Sequence, residues 1–164
     1  MPPGPYLESV PALALSKARA VVARGVRNIV LAADTVVVAG DRLLGKPSDG
    51  AEAGRMLRLL RRRAHDVITG VAAVDVENRR ELTSAALTTV VMGEFDDAAI
   101  AAYVATGSPL DKAGGYAIQD VPADWITAVR GSYTNVIGLP LVATRALLGA
   151  LGVPLLPPSV TEDA

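Results

Sequence analysis

The chain has 164 residues, of which 51% are hydrophobic and 20% charged, and its formal net charge is −1. This composition is typical of a globular protein with a core, and so small a net charge argues against a nucleic acid polymer or an anionic membrane as partner. No cysteine is present, which excludes disulfides, thiolate zinc sites and a cysteine nucleophile. We expect one domain over residues 1–164, with an ordered core over about 12–152.

The N-terminus, MPPGPYLESVP, has no basic flank followed by an apolar block, so it does not resemble a secretory signal. No apolar run reaches the roughly 18 to 20 residues that span a bilayer. We therefore expect a cytoplasmic protein whose first, proline-rich residues are loose.

Hydrophobic spacing and turn residues predict an alternation of helices and strands along the rest of the chain. One long hairpin interrupts the alternation, which favours an α/β fold with a mixed β-sheet flanked by helices. The predicted helices are 12–24, 48–60 with Ser48 as cap, one capped by Asp96 or Asp97 that ends at Gly107, and 141–151. The predicted strands are 29–33 continuing at 36–39, 42–44, 66–76, 81–92, a piece near Ile118, and 126–130, before a frayed tail, LLPPSVTEDA.

Four arginines cluster near the end of the second helix: Arg58, Arg61, Arg62 and Arg63. Cations are favourable near a helix C-terminus. We interpret the cluster as a solvated helix end rather than a phosphate-binding surface.

Two familiar catalytic patterns, a phosphate-binding loop and a histidine-based site, are incomplete in this sequence. Residues 40–46, GDRLLGK, have the spacing of a phosphate loop, but Pro47 stands where a Ser or Thr would bind magnesium. His65 is the only histidine, so zinc sites and dyads made of histidines are excluded, and we interpret it as a structural residue at a strand entrance.

A carboxylate in the middle of an apolar run is the first candidate for chemistry. Residues 29–40 read IVLAADTVVVAG, and an unpaired carboxylate is costly to remove from water, so Asp34 needs a partner, a metal or a function.

A second candidate is DKAGGYAIQD, residues 111–120. Its glycines allow positive φ angles and close approach of a ligand. Lys112 offers a charge for phosphate, and Gln119 offers both a donor and an acceptor for a base edge. A turn with a satisfied glutamine explains the segment equally well. For a third loop, GSYTNVIGLP at 131–140, a structural turn is favoured over an anion-binding nest.

These pieces, in this order, resemble the Maf family of nucleoside triphosphate pyrophosphatases over about residues 13–152. The matching residues are Leu13-Ala14, Lys17-Ala18, Ala33-Asp34-Thr35-Val36, Gly45-Lys46-Pro47, His65, Thr69-Gly70, Tyr103, Gly107, Pro109, Asp111-Lys112-Ala113-Gly114, Tyr116, Ile118-Gln119, Gly131-Ser132, Asn135-Val136 and Gly138-Leu139-Pro140.

The resemblance implies a two-lobed fold of the Maf and inosine-triphosphatase type with a central cleft. It implies hydrolysis of a nucleoside triphosphate, dTTP or UTP or a modified pyrimidine nucleotide, to the monophosphate and pyrophosphate. Asp34 corresponds to the family's general base and is a candidate ligand for a divalent metal, Mg²⁺ or Mn²⁺. Thr35 and Gln119 match residues of the dTTP/UTP branch, and Lys17, Lys46 and Lys112 match substrate-binding lysines. Homodimerisation is left open.

One family segment has no counterpart. Members begin with a strand and an SxSPRR loop that faces the phosphates, and no SxSPRR occurs here. We expect a truncated or divergent member, with a free sheet edge where that strand would pair. The alternative function is therefore a catalytically impaired nucleotide-binding protein that regulates cell division. A plain dimerisation domain, the third alternative, would bind no nucleotide.

Overall fold

The computed structural model describes residues 4–156 as an antiparallel sheet with helices on both faces. This confirms the α/β class, and each pair of neighbouring strands in the described part is antiparallel. The strands are β1 (Ile29–Ala39), β2 (Arg42–Leu44), β3 (Ala64–Asp75), β4 (Arg80–Met92) and β5 (Ile126–Arg130), in the spatial order β2-β1-β3-β4-β5. The helices are α1 (Gly4–Val22), α2 (Gly50–Leu60), α3 (Asp97–Ala105), α4 (Tyr133–Ile137) and α5 (Leu141–Ala150).

Alternation along the strands divides the side chains between two faces of the sheet. On one face, Ile68 packs with Val38 and with Val10 of α1. On the other, Val67 joins the largest cluster of buried apolar side chains, built with Leu57 of α2 and other residues of the connecting segments. The described chain is thus layered, with α1 alone on one face and the remaining core on the other.

Helix α1 begins earlier than its sequence predicts. It extends back to Gly4, with Pro11 inside it, whereas loose residues were expected before residue 12. The reason is packing, because the helix backbone contacts β3 directly at Gly70. A Cβ on Gly70 would lie 2.6 Å from Pro11 Cα, so the absence of a side chain there allows the helix to pack against the sheet. The expectations for residues 1–3 and for the tail beyond residue 156 lie outside the described residues.

Other boundaries differ by small amounts and for local reasons. Asp49, not Ser48, caps α2 by accepting from the Glu52 amide, while Ser48 bonds to the Glu52 carboxylate. Asp96 caps α3, as predicted. The prediction of a strand near Ile118 is wrong, because the chain turns there and the Asp120 amide donates to the carbonyl of Ala117 at 3.0 Å.

No helix in the described part, residues 4–156, is long and apolar enough to cross a membrane. The prediction of a single domain over 1–164 stays a prediction.

Candidate functional site

All six residues singled out from the sequence line one cavity of about 290 Å³. They come from α1, from β1, from the loop after β2, and from the glycine-rich segment before β5, so the fold gathers positions up to about a hundred residues apart in sequence. They are Lys17, Asp34, Thr35, Lys46, Lys112 and Gln119.

The cavity lies at the outer edge of β1. Along residues 29–38 this strand pairs with β3, but β2 pairs only with its last three residues, 37–39. In the described part of the chain, the outer edge of residues 29–36 therefore has no strand partner. Asp34 and Thr35 point to opposite faces at this edge, and the cavity contacts both.

Asp34 faces α1 and forms an ion pair with Lys17. Its register partner on β3 is Gly70, so no side chain on that side separates the strand from the helix. The carboxylate side chain is only 15% exposed, against 51% for Lys17. The apolar strand thus tolerates Asp34 because a cation and an open cavity compensate its charge.

A glycine pair positions the lysines across the cavity. Gly114 and Gly115 both adopt left-handed φ angles, 75° and 73°, which favour glycine. The Gly114 amide donates to the Gly45 carbonyl at 3.0 Å, which ties the loop of Lys112 to the loop of Lys46. The predicted positive φ angles are confirmed.

Asp111 and Lys112, which are neighbours in the glycine-rich segment, form an exposed ion pair. Lys112 Nζ donates to Asp111 Oδ1 at 2.5 Å. This hydrogen bond raises the pKa of Lys112 and lowers that of Asp111, whose pKa the nearby Lys46 also lowers. Lys112 in the cavity wall therefore stays charged at neutral pH.

Below Thr35 lies a buried polar network that sequence reasoning missed. Thr35 Oγ1 is 2.9 Å from Thr69 Oγ1, and Thr69 donates to the main-chain oxygen of Asn135 at 3.1 Å. Asn135 in turn donates to Thr88 Oγ1 at 2.9 Å. Thr69, Thr88 and Asn135 are fully buried. The only sequence signal for this network is the Thr69 hydroxyl in the otherwise apolar run VITGVAAV. Threonine is common in strands for its β-propensity alone, so the signal is not specific.

Tyr116 lines the cavity, and a hydrogen bond to buried His65 holds its ring in place. Its hydroxyl lies 2.7 Å from Nε2 of His65, and the rings meet edge to face. Burial lowers the pKa of His65 to about 4 and raises that of Tyr116, so both groups are neutral at pH 7. The interpretation of His65 as a structural residue is confirmed.

The arginine cluster is outside this cavity. Arg58 and Arg61 both bond Asp97, each at 3.0 Å, and Arg62 pairs with Glu94 at 2.9 Å. The interpretation as a solvated helix end is confirmed. Within the loop 131–140, Tyr133–Ile137 form the one-turn helix α4, which is capped by Ser132 and contributes Val136 and Ile137 to the cavity lining.

The cavity has two carboxylates that could bind a metal ion, Asp34 and Asp111. Among residues 4–156, no three or more His, Asp or Glu side chains are grouped so as to hold an ion. Asp34 and Asp111 line the cavity, and Asp111 is bonded to Lys112. One carboxylate combined with phosphate oxygens is a usual arrangement for Mg²⁺, so the donor set fits an ion shared between Asp34 and a bound phosphate.

Comparison with known proteins gives a consistent result. The chain matches the family model described as "Maf-like protein" over residues 3–151. It is 48% identical over 153 residues to a protein of Moorella thermoacetica named "dTTP/UTP pyrophosphatase", covering 93% of this chain and 77% of the relative. Proteins with the same name match from Salinibacter ruber, at 50% identity over 82% of this chain, and from Anaeromyxobacter dehalogenans, at 46% over 94%.

The chain spans 66% of the Salinibacter relative and 79% of the Anaeromyxobacter relative. The family match nevertheless covers most of this chain, including every residue of the cavity. The chain therefore belongs to the Maf family.

Proposed function

We propose that this protein is a nucleoside triphosphate pyrophosphatase, which hydrolyses dTTP or UTP to the monophosphate and pyrophosphate. The observation that carries the proposal is one cavity lined by Asp34, Thr35, Gln119 and three lysines. The identity of 46% to 50% with relatives named for this activity supports the same substrate class.

The reaction is a substitution at the α-phosphorus. Water forms a bond to that phosphorus, the bond from it to the oxygen bridging the β-phosphorus breaks, and pyrophosphate leaves. Asp34 is the candidate base that orients the water and accepts its proton. Lys17, Lys46 and Lys112 offset the charge of the triphosphate, which favours both binding and departure of pyrophosphate.

Thr35 and Gln119 are the proposed contacts for the nucleobase. Thr35 presents a hydroxyl, and Gln119 presents an amide with both donors and an acceptor. Both line the cavity, and Tyr116 lines it with them.

We propose a divalent metal, Mg²⁺ or Mn²⁺, as cofactor. Asp34 would hold it together with oxygens of the substrate, and the metal would supply charge neutralisation at the phosphates. A cytoplasmic location accompanies this proposal because nucleoside triphosphates are intracellular metabolites. Homodimerisation also stays a proposal, which light scattering coupled to size-exclusion chromatography would test.

The test is pyrophosphate release from dTTP and UTP with Mg²⁺, by wild type and by Asp34→Asn. We expect the substitution to lower kcat by at least about 100-fold, the lower range for loss of a general base, with an almost unchanged melting temperature. Asp41→Asn, an exposed aspartate on the same β-hairpin, is the matched control and should keep full activity. Activity that survives Asp34→Asn would refute the assigned base.

The same assay addresses the alternative of a nucleotide-binding protein without turnover. Calorimetry that detects binding of dTTP or UTP, together with no pyrophosphate release, would favour that alternative over the proposed enzyme. Absence of any binding would contradict both.

A further inference from the structure

We propose that Thr69 fixes the direction of the Thr35 hydroxyl proton, so that Thr35 presents only a hydrogen-bond acceptor to the cavity and selects uracil and thymine over cytosine. The inference rests on the proposed function, since it takes Thr35 as a nucleobase contact. It adds a positioning residue, Thr69, that does not touch the substrate.

The hydroxyls of Thr35 and Thr69 have only two protons to share between them and a neighbouring acceptor. Thr35 Oγ1 and Thr69 Oγ1 are 2.9 Å apart, and each hydroxyl has a single proton to donate. Thr69 Oγ1 also lies 3.1 Å from the main-chain oxygen of Asn135, which can only accept. If Thr69 donates to that oxygen, Thr35 must be the donor between the two threonines.

The opposite arrangement is poorer by one hydrogen bond. If Thr69 donated to Thr35, its own oxygen would face the Asn135 oxygen at 3.1 Å with no proton between them. Thr69 is fully buried, so water does not compensate the loss. Two buried oxygens in contact without a proton between them repel each other, so this arrangement is unfavourable. The proton of Thr35 is therefore directed into the protein.

Asn135 is held firmly enough to impose this direction. Its side-chain amide donates to the Val67 carbonyl at 3.1 Å and to Thr88 Oγ1 at 2.9 Å, and the residue is fully buried. Its main-chain oxygen also accepts from the Gly138 amide at 3.0 Å. The acceptor that orients Thr69 is thus fixed by β3, β4 and the end of α4.

Gly138 keeps the outer side of the Thr35 hydroxyl uncovered. It adopts a left-handed φ of 112°, and a Cβ at this position would lie 3.4 Å from Thr35 Oγ1. The free lone pair of Thr35 therefore remains accessible at the cavity wall. Thr69 is 34 residues from Thr35 in sequence but lies directly opposite it in the sheet.

An acceptor at this position distinguishes pyrimidines by their N3 atom. Uracil and thymine carry an N3–H donor between two carbonyl oxygens, whereas N3 of cytosine is an acceptor beside an amino donor. An acceptor-only Thr35 bonds the first and repels the second. The amide of Gln119 can donate to a carbonyl of uracil or thymine, which completes a complementary edge.

The test is a ratio of affinities for uncleavable nucleotides. Calorimetry with α,β-imido-UTP and α,β-imido-CTP is performed on wild type, on Thr69→Ser and on Thr69→Val. Serine keeps the hydroxyl, whereas valine keeps the branched shape without it, so the two variants form a matched pair. Circular dichroism and melting temperature check the fold of each.

We expect wild type and Thr69→Ser to prefer the uridine analogue by at least about tenfold, the effect of one mismatched buried hydrogen bond. In Thr69→Val the Thr35 hydroxyl is free to rotate and donate, so the preference should fall to within about threefold. A purely structural role of Thr69 predicts instead that both affinities fall equally and the ratio is retained. That result would overturn the inference.

Thr35→Val supplies a second arm should Thr69→Val not fold. It removes the hydroxyl itself and should also abolish the preference, and an unchanged ratio would overturn the inference. Because the analogues are not cleaved, the two proposals fail separately. Wild type that releases no pyrophosphate from UTP contradicts the proposed function, while wild type that binds both analogues equally contradicts the role of Thr69.

Discussion

Lys17 on α1 forms an ion pair with Asp34 on β1, and this pair connects the helix to the candidate base at the free edge of the sheet. We expect Lys17→Met to lower kcat/KM for dTTP or UTP roughly 10- to 100-fold, the effect of one lost charge-assisted hydrogen bond. Because the Lys17 side chain is 51% exposed, the melting temperature should change little.

The control for Lys17 lies two residues along the same helix. Arg19 pairs with Glu81 at 2.6 Å and is similarly exposed, but it does not line the cavity. Arg19→Met should therefore leave kcat/KM unchanged. Equal losses in the two variants would mean that α1 acts through its overall charge and not through contact with Asp34.

The close approach of α1 to β3 at Gly70 makes this glycine a stability determinant. A Cβ there would lie 2.6 Å from Pro11 Cα, so Gly70→Ala must push the helix backbone off the sheet. Overpacking of this kind costs about 1–3 kcal/mol or more, and for a chain of this length each kcal/mol lowers Tm by roughly 2–4 °C. Thermal unfolding should show the decrease.

Gly70 also lies directly opposite Asp34 in the sheet, so its substitution should affect activity. Displacement of α1 moves Lys17 away from Asp34. Gly45→Ala is the stability control, because a Cβ there meets nothing within 4 Å. If Gly70→Ala retained the wild-type Tm, the tight packing of α1 on β3 would be contradicted.

Local structure was predictable from the sequence to a greater extent than contacts between distant segments. Spacing and turn residues predicted the strands and helices near the cavity, and the resemblance to the Maf family brought Asp34, Lys46 and Gln119 together in advance. The long hairpin of β3 with β4 was predicted and is confirmed. The pairing of β1 with β3 and of β4 with β5 was not predictable, because no short turn connects those strands and their register depends on contacts between distant segments.

The contacts that sequence reasoning missed are those that join distant positions through buried polar groups. Thr69 and Asn135 are 66 residues apart, and His65 and Tyr116 are 51 apart. A threonine in a strand satisfies β-propensity whether or not its hydroxyl has a role, so the residue type alone carries no signal for the network beneath Thr35.

The buried histidine predicts a specific dependence of stability on pH. Burial lowers the pKa of His65 from 6.5 to about 4, so the unfolded chain binds a proton between these values that the folded chain does not. Stability should therefore decrease as the pH falls from 6.5 towards 4, by up to roughly 3 kcal/mol from this residue. Denaturant unfolding across that range, in wild type and His65→Gln, measures its share.

The pKa of His65 can also be read directly. Because the chain has one histidine, its ring proton resonance is unambiguous in NMR. We expect no titration of the folded protein near pH 6.5, and a midpoint near 4 if the fold persists. A normal midpoint near 6.5 would show that the ring is exposed in solution and that the contact with Tyr116 does not hold.

Gly114 provides a final test of how the glycine-rich loop positions Lys112. Gly114 and Gly107 share a φ of 75°, so alanine at either position pays a similar left-handed backbone cost of roughly 1–2 kcal/mol. Only at Gly114 does the new Cβ meet a neighbour, Val37 Cγ1 at 3.1 Å, whereas at Gly107 it meets nothing within 4 Å.

We therefore expect Gly114→Ala to lower Tm further than Gly107→Ala and, in addition, to raise KM for the triphosphate. The added contact pushes the loop away from β1 and weakens the bond from the Gly114 amide to Gly45, so Lys112 and Lys46 no longer converge. Gly107→Ala should keep the wild-type KM. Equal KM values in the two variants would show that backbone strain alone matters and that the loop does not position the lysines.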